Sequence, residues 1–170
     1  MTENKFFSFP PCDRCGQDLE DRYHTFDRNV ERYDYNRTGD TIAEQTTIVV
    51  LHSDNLGQYC SANCAQISAE DGLRQRGIRL TYPGDGPLEV CAVCGNLLDM
   101  TEPHVAYQTM DQTEMYTSWI ISIQPHDSEV LAVVCPSCDS DLPVDECEAE
   151  RDDREDEPVW LNVPHVSKTS

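Results

Sequence analysis

Eight of the nine cysteines stand in four close pairs: Cys12/Cys15, Cys60/Cys64, Cys91/Cys94 and Cys135/Cys138. Two cysteines separated by two residues form a tight turn that aims both sulfurs at one point. Two such pairs can complete a tetrahedral four-cysteine site of the kind that holds zinc. Gly16 and Gly95 directly follow the second cysteine of their pairs, where a glycine permits the left-handed backbone such a turn needs. The expected metal ligands are therefore Cys12, Cys15, Cys60 and Cys64 for one ion and Cys91, Cys94, Cys135 and Cys138 for a second. Crossed pairing, with Cys60/Cys64 joined to Cys91/Cys94, remains open at this level. Cys147 has no partner at short spacing and reads as an exposed thiol.

The pairs must be positioned by a repeated framework. Cys12-Asp-Arg-Cys15-Gly16-Gln17-Asp-Leu19 returns as Cys91-Ala-Val-Cys94-Gly95-Asn96-Leu-Leu98. A histidine follows each, His24 and His104, and then a second cysteine pair. The intervals Cys15 to Cys60 and Cys94 to Cys135 hold 44 and 40 residues. These exceed the roughly 15–20 residues of a compact four-cysteine ribbon, so inserted hairpin strands are expected to fill them. The chain reads as two modules, 8–80 and 86–143, joined by the turn-rich Tyr82-Pro-Gly-Asp-Gly-Pro87 and followed by a tail, 144–170. That tail is acidic from Asp145 to Glu157 and ends in the small apolar cluster around Trp160.

In the first module, Thr46–Leu51 predicts a strand, and Asn36 and Gly39 predict a turn or exposed loop over Tyr33–Asp40. Ser61 as N-cap and Gly77 as stop predict a helix over 62–76, weakened by Gly72 and carrying Cys64 in its first turn. In the second module, His104–Met110, Tyr116–Ile123 and Val130–Val134 predict three strands, with Pro125 and Asp127 in a hairpin turn between the last two. Pro136 permits one helical turn, and Pro143 stops anything longer.

Tyr59-Cys-Ser-Ala-Asn-Cys64 resembles the second half of a treble-clef zinc finger, and Cys12-Asp-Arg-Cys15-Gly16 its zinc knuckle. Cys135-Pro-Ser-Cys138 resembles a zinc-ribbon knuckle. The resemblance implies a small α+β, zinc-stabilised fold: two duplicated four-cysteine modules, treble-clef-like then zinc-ribbon-like, with antiparallel hairpins. It carries no particular function, because such fingers serve many.

Composition agrees with metal-assisted folding. Apolar residues are 38% and aromatics 8% of the chain, and modules of about 60 residues bury little on their own. Met1–Pro11 lacks a signal-peptide pattern, and no apolar run reaches the roughly 18 residues of a membrane helix. The expected setting is a reducing cytoplasm, where such cysteines bind metal rather than form disulfides.

Net charge is −20, from 32 acidic and 12 basic residues. This argues against direct binding of nucleic acid or anionic membrane and for a basic protein partner. A solubility or high-salt trait would leave the same signature. Thioredoxin-like dithiol chemistry needs a βαβ context that is missing. The deaminase and His-Glu-x-x-His motifs are absent, and two complete quartets leave no open metal position for catalysis. The function expected is thus a non-enzymatic protein-interaction module with two structural Zn2+ ions, in its most specific form an inhibitor or immunity-type protein. The alternatives are a regulatory zinc-finger protein on the transcription or translation machinery and, more weakly, an enzyme with structural zinc. His24 and His104 read as hydrogen-bonded residues on the first strand of each module.

Overall fold

The computed structural model describes residues 9–38, 41–84, 86–117 and 120–139. The expectations for Cys147, the acidic tail and Trp160 lie outside them. The fold is antiparallel β-sheet with one helix among the described residues. The elements are β1 (Arg22–Thr38), β2 (Thr41–Tyr59), α1 (Ala62–Gln75), β3 (Leu88–Val90), β4 (Leu97–Asp99), β5 (His104–Thr117), β6 (Ile120–Val134) and a 3-10 turn, Pro136–Cys138. No helix among the described residues is long and apolar enough to cross a membrane.

β1 and β2 form one long hairpin, and β5 and β6 another. The hairpins meet through their first strands, giving a four-stranded sheet of order β2-β1-β5-β6. The β1–β5 register runs from Arg22↔Thr113 to Glu31↔His104. Repeat-related strands therefore pair antiparallel, about an approximate twofold axis between the Asp27↔Gln108 and Arg28↔Tyr107 rungs. Two reciprocal hydrogen bonds follow this symmetry: Tyr33 N–H donates to Met100 O (2.7 Å) and Glu114 N–H to Asp21 O (2.8 Å). Each hairpin thereby braces the segment that leads into the other's first strand.

Two sequence expectations need correction. Over Tyr33–Thr38 the expected turn or loop is strand: β1 continues to Thr38, which pairs with Thr41. The alternation of Tyr33 and Tyr35 is a strand period, and Tyr33 is buried with its ring edge-on to His104. The rest of that expectation, Gly39 and Asp40, lies outside the described residues. Likewise, β6 is continuous through Pro125 and Asp127, so the second half holds two long strands where three were expected. The proline and the extra residue are absorbed as a register shift, with Asp111↔Asp127 followed by Gln112↔Pro125. A β-bulge accommodates one unpaired residue without reversing the chain.

The helix matches the prediction closely, ending at Gln75. Ser61 is extended (φ −154°), and its hydroxyl accepts from Cys64 N–H at 3.2 Å. At the other end Gly77 has φ 71°. Ile78 N–H donates to Leu73 O (2.9 Å) and Gly77 N–H to Arg74 O (3.1 Å), the paired bonds of a Schellman stop. Ala65, Ala69 and Leu73, at i, i+4 and i+8, are buried against the sheet with Phe26 and Tyr107. Gly72 brings the helix close to Phe26: a Cβ there would lie 3.4 Å from the ring.

Candidate metal centres

Each quartet is built from two turns that the long hairpins bring together. In the first half, Cys12 N–H donates to Gln17 O (2.7 Å) and Gly16 N–H to Cys12 O (2.9 Å). In the second, Cys91 N–H donates to Asn96 O (2.8 Å) and Gly95 N–H to Cys91 O (3.0 Å). Gly16 and Gly95 have φ 75° and 76°, so both take the left-handed backbone. The turns are fastened to the sheet in the same way, through Asp13 N–H to Gln58 O (3.0 Å) and Ala92 N–H to Val133 O (2.8 Å). β2 and β6 end where those bonds are made, which delivers Cys60 and Cys135 to their turns.

The result is two clusters, Cys12/Cys15/Cys60/Cys64 and Cys91/Cys94/Cys135/Cys138, with all sulfurs of a cluster within 4.8 Å of one another. The structure groups the pairs within each half and does not bring Cys60/Cys64 to Cys91/Cys94. Sγ separations are 3.5 Å for Cys15–Cys60, 3.9 Å for Cys60–Cys64, 3.6 Å for Cys91–Cys135 and 3.8 Å for Cys94–Cys135. Disulfide sulfurs lie about 2.05 Å apart. Four sulfurs around one ion with bonds near 2.3 Å lie about 3.8 Å apart. The donor set and its spacing fit a metal ion in each cluster.

Burial repeats as well. Cys12 and Cys91 are buried, Cys15 and Cys94 exposed, and the other four partly exposed. Burial alone would push the Cys12 thiol up, but backbone N–H groups of Cys15, Cys60 and Arg14 donate to it and bring it down to about 6. Burial opposes ionisation of Cys91 in the same way, and N–H groups of Cys135, Cys94 and Val93 bring it down to about 6. The Cys135 N–H lies 3.4 Å from the Cys91 sulfur. Cys60 is pushed up to about 12, first by its hydrogen bond with the Cys15 thiol. Cys138 is pushed up to about 12, first by its hydrogen bond with Cys135. Each cluster thus has one thiol already biased toward the thiolate that a metal requires.

The two histidines lie on the first strands, outside the clusters. His104 is buried, its Nδ1–H donating to Glu102 O at 3.0 Å and its Nε2 lying 3.7 Å from Glu31 Oε1. His24 lines a groove of about 560 Å³ between the first turn of α1 and the face of β5 and β6, together with Gln66, Asp111, Asp127 and Glu129. Those carboxylates are scattered in sequence, and only strand register could have gathered them. A buried ion pair of Arg28 with Asp139 also escaped the sequence, because its members lie 111 positions apart.

No protein-family model matches the chain, and no curated protein or solved structure matches it.

Proposed function

We propose that the chain is a zinc-stabilised, non-enzymatic interaction module that captures a basic protein partner, with one structural Zn2+ in each quartet. The observation that carries the metal half is the pair of closed four-thiol clusters. A four-sulfur tetrahedral set suits zinc or iron, and a site whose four positions are all protein ligands keeps none open for a reacting water. In the first half a knuckle, a hairpin and a helix carrying the last ligand follow in treble-clef order. In the second half a knuckle, a hairpin and a second knuckle follow in zinc-ribbon order.

The partner half rests on charge. The chain carries −20, and each centre of four thiolates and one Zn2+ would add two more negative charges. Such a field steers a basic protein to fast encounter. The groove offers Asp127 and Glu129 to incoming basic side chains, its third carboxylate, Asp111, being already paired with Arg22. The most specific form of this reading is an inhibitor or immunity-type protein that neutralises a basic toxin or nuclease.

Metal analysis of the purified protein tests the first half: two zinc ions per chain are expected. A coloured iron protein, or a stably folded metal-free one, would overturn it. Titration against small basic proteins at rising salt tests the second half. Binding should weaken with salt, since exposed charges are screened beyond about 8–10 Å near physiological ionic strength. Stoichiometric, salt-sensitive binding of bare DNA or RNA would show that net charge does not govern what the surface touches.

A further inference from the structure

The second cysteine pairs of the two halves are held down by different means. In the first half Cys64 belongs to α1, and the buried face of α1 keeps it on the sheet. In the second half Cys138 closes a single 3-10 turn that has no buried residue of its own. The residue after it, Asp139, does what the helix does elsewhere. Its side chain is 2% exposed. Its Oδ2 accepts from Arg28 Nε at 2.8 Å and lies 2.6 Å from Arg28 Nη2.

Arg28 belongs to the other half of the chain. It sits on β1 at the centre of the shared sheet, opposite Tyr107, with its side chain 3% exposed. Its Nη1 donates to Asp54 Oδ2 on β2 at 2.7 Å. A guanidinium this deeply buried is tolerated only when its charge is paired. Asp54 is 42% exposed along its side chain, so Asp139 supplies the fully buried counter-charge. The hydrogen bond from Nε fixes direction, while Nη2 adds charge close to the same oxygen without a hydrogen bond of its own.

We propose that Arg28 is a positioning residue for the second metal centre: by gripping Asp139 it fixes the path along which Cys138 enters the quartet, so retention of the C-terminal ion depends on a residue of the N-terminal half. This rests on the reading that the quartets hold metal. It makes the two centres unequal. The first closes on its own helix, whereas the second closes only when the β1–β5 seam is made and presents Arg28.

The test uses the full-length, metal-loaded protein. A chelator is added, and the thiols it frees are trapped by alkylation and mapped by peptide mass spectrometry, so the two quartets are read separately. Asp139→Asn keeps shape and removes charge. It should speed labelling of Cys135 and Cys138 by about tenfold or more, the usual consequence of removing a group that orients a metal ligand. Cys12, Cys15, Cys60 and Cys64 should keep their wild-type rate. Asp54→Asn, which breaks the other contact of Arg28, should leave the second quartet close to wild type. Asp139→Glu, which keeps the charge, serves if the asparagine variant does not fold. Equal acceleration of both quartets, or of neither, would overturn the proposal. A wild-type chain without two bound ions would instead sink the metal reading beneath it.

Discussion

The two halves share a first knuckle that is nearly superposable in its hydrogen bonds and diverge at the second. Gly16 and Gly95 differ by one degree in φ, and their turns close over bonds of 2.9 and 3.0 Å. After the second pair, one half builds a 14-residue helix and the other a three-residue turn. The metal-facing geometry is thus held by local backbone chemistry in both halves. The support behind it is free to differ, provided something buried takes the place of the helix. In the first half that support is apolar and local: Ala65, Ala69 and Leu73 over Phe26. In the second it is ionic and distant, from Asp139 to Arg28.

The strongest lever on either half is its ligand set. Cys15→Ser or Cys94→Ser should each remove one metal ion and unfold the region around its own quartet, since metal binding supplies on the order of 10 kcal/mol per site in isolated fingers. Metal stoichiometry and amide exchange read both effects. Cys147→Ser should leave the metal content unchanged.

Acid is the next lever, and it should act on both halves together. The lead thiols Cys12 and Cys91 are both brought down to about 6 from an ordinary value of 9.0. A depressed thiol contributes stability as the thiolate, fully present above its ordinary range and lost as the pH falls through its folded value. Metal retention should therefore be lost at both sites on acidification, at a pH below the value of about 6 that these thiols have without a metal, because a bound cation holds them ionised further down. Chelator-resistant zinc measured along a pH series would check this, and a clear separation of the two sites would mean that their lead thiols are not equivalent.

Leu73→Ala tests the divergent support. It removes a fully buried side chain from the helix that backs the first quartet, with no counterpart among the described residues of the second half. A loss of about 3 kcal/mol is expected, visible as a lower denaturant midpoint and as faster metal release from the first quartet alone. The smallest effect should be the most symmetric. Gly16→Ala and Gly95→Ala place a side chain on a left-handed backbone in open space, at a cost of about 1–2 kcal/mol each. Equal losses in the two variants would sharpen the duplication, and a large inequality would show that the knuckles are not equivalent.

What the sequence determined by itself is local. Pair spacing and the following glycines specify the knuckles, because two residues between cysteines and one left-handed position suffice to converge the sulfurs. Ser61 and Gly77 specify the helix, because its caps act within a few residues. The strands were legible as β-rich stretches but not in length: turn residues at Asn36 and Pro125 read as ends, whereas cross-strand pairing and a bulge carry the chain through them. Only the tertiary structure decided that the halves join through β1 and β5 into one sheet. That pairing is set by the register of strands far apart in the chain, and either open strand of each hairpin could have met its neighbour. The same register gathers Asp111, Asp127 and Glu129 at one groove and buries Arg28 against Asp139. Neither is written in any local pattern, because a charge becomes a clamp only when the fold removes the water around it.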